Sequence, residues 1–325
     1  MVFSLEKRHP GAMTDTWYRG SGPYCYSNCL VMMLGGDAPD AAVVETVTGS
    51  PFGVQLEDGL AFFDPCGWNP GIGVDEALTA LGWTARTTSG GDADTAFDRL
   101  IAALAEGPVM VGPVEMGHLR HQPGMTGPIG ADHYVVVLGA DDTHVTLHDP
   151  QGHPYARLPR AAFAAAWRAE SVAYAEPYTM RTEFTRVGRV DAARAVGAAV
   201  PRAVDWLGGA NGDAALALAD LVGRGCDPEL RGHLVGFAVR VGARRLADAA
   251  ACLRGVGHAD AAATLTGQAR LVGSLQYPLV TGDDGAAAAV LRDLAPTYGV
   301  LRDQLAGFRN REGASTAAPG GSGGR

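Results

Sequence analysis

Cysteine is scarce in this sequence: five in 325 residues, an odd number. A disulfide scaffold needs pairs and an oxidising compartment, so the five read as reduced thiols of a cytoplasmic protein. The opening MVFSLEKRHPG has no apolar core of the kind a secretory leader carries, which fits that expectation. Long apolar runs are missing as well. No window approaches the ~18 uninterrupted apolar residues of a membrane-spanning helix, so no membrane partner is expected. Positive charge is in deficit: 26 Lys and Arg stand against 35 Asp and Glu, a net charge of −9, which argues against a general nucleic-acid binder. There is no GxxxxGK[ST] loop and no GxGxxG after a strand-like run. In GSPFG the serine sits beside the first glycine, the wrong place for a nucleophile elbow. No cofactor is expected.

The composition changes near residue 185. Aromatics, histidines and Gly-Pro turns crowd the first part, whereas Ala, Leu, Arg and Gly dominate the second at helical spacing. The reading is a first domain over 1–184, an all-α domain over 185–310 and a disordered tail over 311–325. Gly208, Gly225 and Gly257 suit helix ends, and Pro228 suits a first helical turn. In the first part, CYSNCLVMML, DEALTALGW and DTAFDRLIAALAEG read as helices, and PVMVGPV as a buried strand. HYVVVLGADDTHVTLHDP reads as a hairpin, PRAAFAAAWRA as a short helix and SVAYAEPYTM as a last strand. Helix followed by mostly antiparallel strand is an α+β pattern.

Two of the five cysteines, Cys25 and Cys29, lie four apart in GSGPYCYSNCLVMML. The glycines and Pro23 suit a sharp entry, which puts Cys25 in the first turn of a helix. There the positive end of the helix favours a thiolate, and the unpaired backbone N–H can bind an oxyanion. Cys29 is a turn further in, among Leu, Val and Met, and reads as a packing residue. A turn centred on Asp141 would set His133 directly across from Asp149, with Cβ atoms ~5 Å apart on one face. An Asp beside a His fixes the imidazole tautomer and stabilises the imidazolium. Taken singly, each of these residues is better explained by packing, by an ordinary strand hydrogen bond or by a turn. Together, Cys25, His133 and Asp149 are the nucleophile, base and orienting acid of a triad.

A metal site would have to draw on Cys25, Cys29 and Cys66, or on His118 and His121 in HLRH. No second closely spaced Cys/His pair completes it, so none is expected. His148 alternates to the face opposite Asp149, which makes it a poor triad member, and His153 reads as a loop residue and a weaker alternative base.

The stretch YCYSNCLVMML resembles the nucleophile helix of the BtrH-like proteins of butirosin biosynthesis, papain-like cysteine acyltransferases related in fold to C39 peptidases. DHYVVVLG resembles their histidine strand, and HDP their Asp-Pro after the next strand. The resemblance covers roughly 15–180, and a helical region after the catalytic one also resembles that architecture. It implies a papain-like fold with Cys25 as nucleophile, His133 as base and Asp149 as orienting acid. The implied reaction takes an acyl group from a thioester, on an acyl carrier protein or another donor, and passes it to a small amine in natural-product synthesis. Papain-like enzymes often place a glutamine before the cysteine as an oxyanion donor. WYRGSGPYC has none, leaving Arg19, Ser21 or the Cys25 backbone for that task. Tyr24, Phe52, Trp68 and Asn69 are candidate substrate contacts, with loop packing as the alternative. A C39-like peptidase or amidase, or a non-catalytic module on the same fold, uses the same residues. The helical region is left to cap the cleft, to form a homodimer, or to dock a carrier through Arg240, Arg244 and Arg245.

Overall fold

The computed structural model describes Gly20 and residues 23–315, with side chains to Gly307. In chain order the elements are α1 (Cys25–Leu34), α2 (Ala41–Val47), β1 (Gln55–Glu57), β2 (Leu60–Phe62), α3 (Pro70–Leu81), β3 (Trp83–Thr88) and α4 (Ala93–Leu104). β4 (Val109–Glu115), β5 (Asp132–Ala140), β6 (His144–Asp149), β7 (His153–Pro159), α5 (Arg160–Arg168) and β8 (Met180–Arg186) follow. The rest is helical: α6 (Ala192–Leu207), α7 (Asn211–Gly223), α8 (Pro228–His233), α9 (Val239–Gly255), α10 (Ala259–Ser274), α11 (Gln276–Thr281), α12 (Asp284–Leu294) and α13 (Thr297–Ser315). The protein is thus mixed α and β with a helical C-terminal region. Among the described residues no helix is long and apolar enough to cross a membrane.

The chain divides into two compact units, Met1–Val44 with Gly82–Arg189, and Glu45–Leu81 with Val190–Arg325. The continuous 1–184 domain read from the sequence is therefore interrupted, and its boundary falls five residues later. The reason is polar pairing over long sequence separations. Within the second unit Arg245 on α9 is 5% exposed, and its Nε and Nη1 reach Glu45 Oε1 at 2.7 Å and Asp64 Oδ2 at 2.8 Å. Val54 N donates to Asn211 Oδ1 at 3.0 Å, and His233 Nε2 bonds the Ala61 carbonyl at 2.8 Å. The same unit shows its helix signals plainly. Asp191, Asp227 and Asp283 each accept first-turn N–H groups, Pro228 follows its cap, and Gly208 closes α6. Helix α13 runs on to Ser315, past the point where a tail was expected at 311; residues 316–325 lie outside the described residues.

In the first unit, β3 to β8 form a six-stranded antiparallel sheet in the order β3-β8-β4-β5-β6-β7. The apolar run VVVL alternates across it. Val135 and Val137 join Val109, Val145, Leu147 and Leu158 in a core with Phe97 and Leu100 of α4 and Phe163 and Trp167 of α5. Tyr134 alternates to the other face, where Tyr26 of α1 meets it edge-on at 6.0 Å. The two sheet edges escape a reading by apolar pattern. β3 (WTARTT) is largely exposed, and β7 carries Pro154, which an edge strand tolerates. The expected strand over 171–180 is instead a chain of turns packed on α5: Tyr178 N donates to the Trp167 carbonyl, and Trp167 Nε1 donates to the Thr179 carbonyl at 2.8 Å. The strand itself begins at Met180.

Candidate active site

Helix α1 opens on Cys25, so the Cys25 N–H is a first-turn donor outside the helical ladder. The residue before it, Tyr24, holds φ 80° and ψ 44°, a left-handed conformation uncommon for a side-chain-bearing residue. Asn28 secures this turn: its N and Nδ2 donate to the Tyr24 carbonyl at 2.8 and 2.9 Å. Cys25 itself is half-buried. Cys29 is fully buried, and burial first, then the neighbouring Cys25 and Asp149, pushes its thiol well above the usual range.

The β5–β6 hairpin carries the next two groups, in a register different from the one expected. Four residues, 141–144, separate the paired Ala140 and Val145, and the turn is tied by Asp141 Oδ1, which accepts from the N–H groups of Thr143 and His144 at 2.7 Å each. Ala140 and Gly139 pair with Val145 and Thr146. Past an extra residue at Leu138 the pairs become Val137–Leu147 and Val136–His148. Without that bulge the longer turn would send His133 and Asp149 to opposite faces, because side chains alternate with period two. With it they share a face as diagonal rather than direct neighbours. Their side chains close the gap, His133 Nε2 lying 2.7 Å from Asp149 Oδ1.

The Cys25 side chain is the other group that acts on His133. With Nε2 taken by Asp149, Nδ1 is the ring nitrogen left for the thiol. Burial alone would lower the His133 pKa, but the charges of Asp149 and Cys25 outweigh burial and hold it well above the usual range. Asp149 is fully buried. Burial would raise its pKa, yet His133, hydrogen bonds from His121 and His133, and the Gln151 N–H together hold it far below the usual range. An ionised carboxylate, an imidazole biased toward its charged form and a thiol thus belong to one cluster.

Two members of this cluster were not foreseen. His121 Nε2 and Gln122 Nε2 approach Asp149 Oδ2 at 2.7 and 2.6 Å. Both lie in the long β4–β5 connection, whose path no local pattern fixes; the only hint was two histidines in a Gly-Pro loop. His121, weighed from sequence as a metal ligand, is a carboxylate partner. Among the described residues no group of three or more His, Cys, Asp or Glu is arranged to hold a metal.

The remaining sequence candidates fall as follows. Arg19 and Ser21 lie outside the described residues. Tyr24 is 3% exposed, so its ring is part of the packing under α1. Phe52 and Trp68 are core residues of the second unit, Trp68 Nε1 donating to the Thr48 carbonyl at 2.8 Å. Asn69 Oδ1 accepts from Ile72 N at 3.1 Å at the start of α3. In the basic stretch of α9, Arg245 is buried in its ion pairs and Arg244 sits 3.5 Å from Asp248, so neither is a free surface cation.

One comparison with known proteins falls in the helical C-terminal region. Residues 206–306 match the family described as the YobF C-terminal domain. The chain is 34% identical over 161 residues to the uncharacterized protein YobF of Bacillus subtilis (strain 168). That match spans 48% of this chain and 52% of the relative, about half of each.

Proposed function

We propose that the first unit is a papain-like cysteine acyltransferase with Cys25 as nucleophile, His133 as base and Asp149 as orienting acid. The supporting observation is that one buried imidazole bonds the Asp149 carboxylate at 2.7 Å and interacts with the Cys25 thiol at the start of α1. His133 takes the thiol proton, and the Cys25 sulfur attacks the carbonyl of an acyl thioester. The oxyanion that forms is met by the first-turn N–H of Cys25. Collapse breaks the donor's C–S bond and leaves an acyl-enzyme; the departing thiol takes the proton from His133. A small amine then attacks, His133 receives its proton, and the amide leaves as Cys25 recovers its thiol. A thioester suits this site because its leaving thiolate needs little acid assistance, whereas peptide cleavage would need strong proton donation to nitrogen. The donor would be a carrier protein or another thioester.

The test is incubation with an acyl thioester, with intact-mass detection of an adduct on Cys25, followed by addition of amines. The expected result is an acyl adduct that is absent in Cys25→Ala and is discharged by an amine. Failure of every thioester to label Cys25 would overturn the reading. Cleavage of peptides without thioester turnover would replace it with a peptidase.

A further inference from the structure

The β4–β5 connection, 116–131, is closed at both ends by one carboxylate. Glu115, the last residue of β4, is 1% exposed. Its Oε1 accepts from Gly117 N at 2.9 Å and Ile129 N at 3.0 Å, while Oε2 accepts from Gly130 N at 3.0 Å and from the Ser171 hydroxyl. The closure is tight, for a Cβ on Gly117 would stand 1.9 Å from the Gly127 carbonyl oxygen. Within the loop Leu119 is fully buried, and Arg120 Nη1 donates to the Thr126 carbonyl. So anchored, the loop sets His121 and Gln122 against Asp149 Oδ2, with the His121 ring edge-on to His153 at 5.3 Å between centroids.

A carboxylate rotates easily about its terminal torsion, which has broad minima. Here rotation is blocked from both sides. Oδ2 is held by His121 and Gln122, and Oδ1 by the Gln151 N–H at 2.8 Å as well as by His133. We propose that the 116–131 loop is a positioning device: His121 and Gln122 fix the plane of Asp149, so that Oδ1 stays on His133 and His133 stays on Cys25. Both are positioning residues acting through Asp149. The inference rests on the reading of Cys25 as an activated nucleophile.

The experiment measures the rate of Cys25 carbamidomethylation by iodoacetamide between pH 5.5 and 9, with the site read by peptide mass. It uses the full chain as wild type, His133→Ala, His121→Leu, His121→Gln and Gln122→Met, each checked for a cooperative thermal transition. Glutamine at 121 keeps an amide donor near the place of the imidazole Nε2, and methionine at 122 keeps length without a donor. His121→Leu and Gln122→Met are expected to slow Cys25 roughly tenfold near neutral pH, with His121→Gln recovering most of the rate. If His121→Leu does not fold, Gln122→Met carries the comparison. Donorless variants that fold and react within twofold of wild type at every pH, while His133→Ala is slow, would overturn the positioning role alone. A wild-type Cys25 no faster than the exposed Cys66, with His133→Ala unchanged, would overturn the nucleophile reading beneath it.

Discussion

Replacing Asp149 by asparagine keeps the size of the side chain and one carbonyl oxygen but removes the charge on which the site is organised. The carboxylate accepts from His133, His121, Gln122 and the Gln151 N–H. In Asp149→Asn the oxygen can stay toward His133 and Gln151, which leaves the amide NH2 facing two donors. Gln122 can turn its amide to present oxygen. His121 can shift its proton to Nδ1, which has no hydrogen-bond partner among the described residues, and accept at Nε2. The network then closes again as neutral hydrogen bonds, except for the His121 Nδ1–H, which is left buried without a partner among the described residues. Each loses its charge-assisted increment, about 1 kcal/mol, and the cheaper burial of a neutral group offsets part of the sum. A net destabilisation of about 2 kcal/mol at pH 7 follows. Reactivity suffers more. An opposite charge in contact shifts a neighbouring pKa by about 1–3 units, so the imidazolium that accompanies the thiolate becomes about 100-fold scarcer.

Urea unfolding gives the stability, and iodoacetamide labelling of Cys25 at pH 6–7 gives the reactivity. The pH sign is fixed by the depressed Asp149 pKa. Its contribution is fully present above the unfolded carboxylate range near pH ~4 and is lost as pH falls toward the folded value, so the gap between wild type and Asp149→Asn narrows below about pH 4. An Asp149→Asn protein as stable as wild type at pH 7, with Cys25 labelled within threefold of the wild-type rate, would refute this account of the charge.

Cys29→Ala removes a fully buried thiol whose pKa burial raises; it should cost about 1–2 kcal/mol in urea unfolding and leave thioester labelling of Cys25 within about twofold. Arg245→Met strands the buried Glu45 and Asp64 carboxylates and should destabilise the second unit by about 3–5 kcal/mol, read as a lowered denaturant midpoint, with Arg245→Lys intermediate. Glu115→Gln sets an amide against three backbone donors and the Ser171 hydroxyl, at a cost of about 2–4 kcal/mol at pH 7. Burial opposes ionisation of Glu115, but bonds from Ser171, Ile129, Gly117 and Gly130 lower its pKa. The deficit should therefore shrink as pH falls below about 4.3, a trend that acid-range thermal melts would follow.

What could be read from the sequence is what local chemistry encodes. The helix on Cys25, the first-turn Pro228, the Gly208 stop and the β5–β6 hairpin all follow from periodicity and turn residues. Composition placed the change of character within a few residues of Arg189. The hairpin shows where such reading ends. Its parity came out as expected, but only because a four-residue turn and a one-residue bulge compensate, and neither is encoded by apolar alternation. The contacts of His121 and Gln122 with Asp149 depend on a 16-residue loop closed by Glu115, a tertiary arrangement without a local signature. The grouping of 45–81 with the helices turns on partners such as Arg245 and Asn211, far along the chain.

That last pairing also sets a timetable for synthesis. Glu45 and Arg245 are 200 residues apart, and the chain between them includes every strand of the six-stranded sheet. At ~5–20 residues per second the ribosome needs about 10–40 s to deliver the arginine after the glutamate. For most of that interval Phe52, Phe63 and Trp68, buried in the finished unit, wait without the helices that complete their core. The strands between have time to pair first. The nascent chain must carry an unfinished apolar loop through its middle while the sheet forms, which makes 45–81 the stretch where a chaperone would be needed and where truncation before α9 would do the most harm.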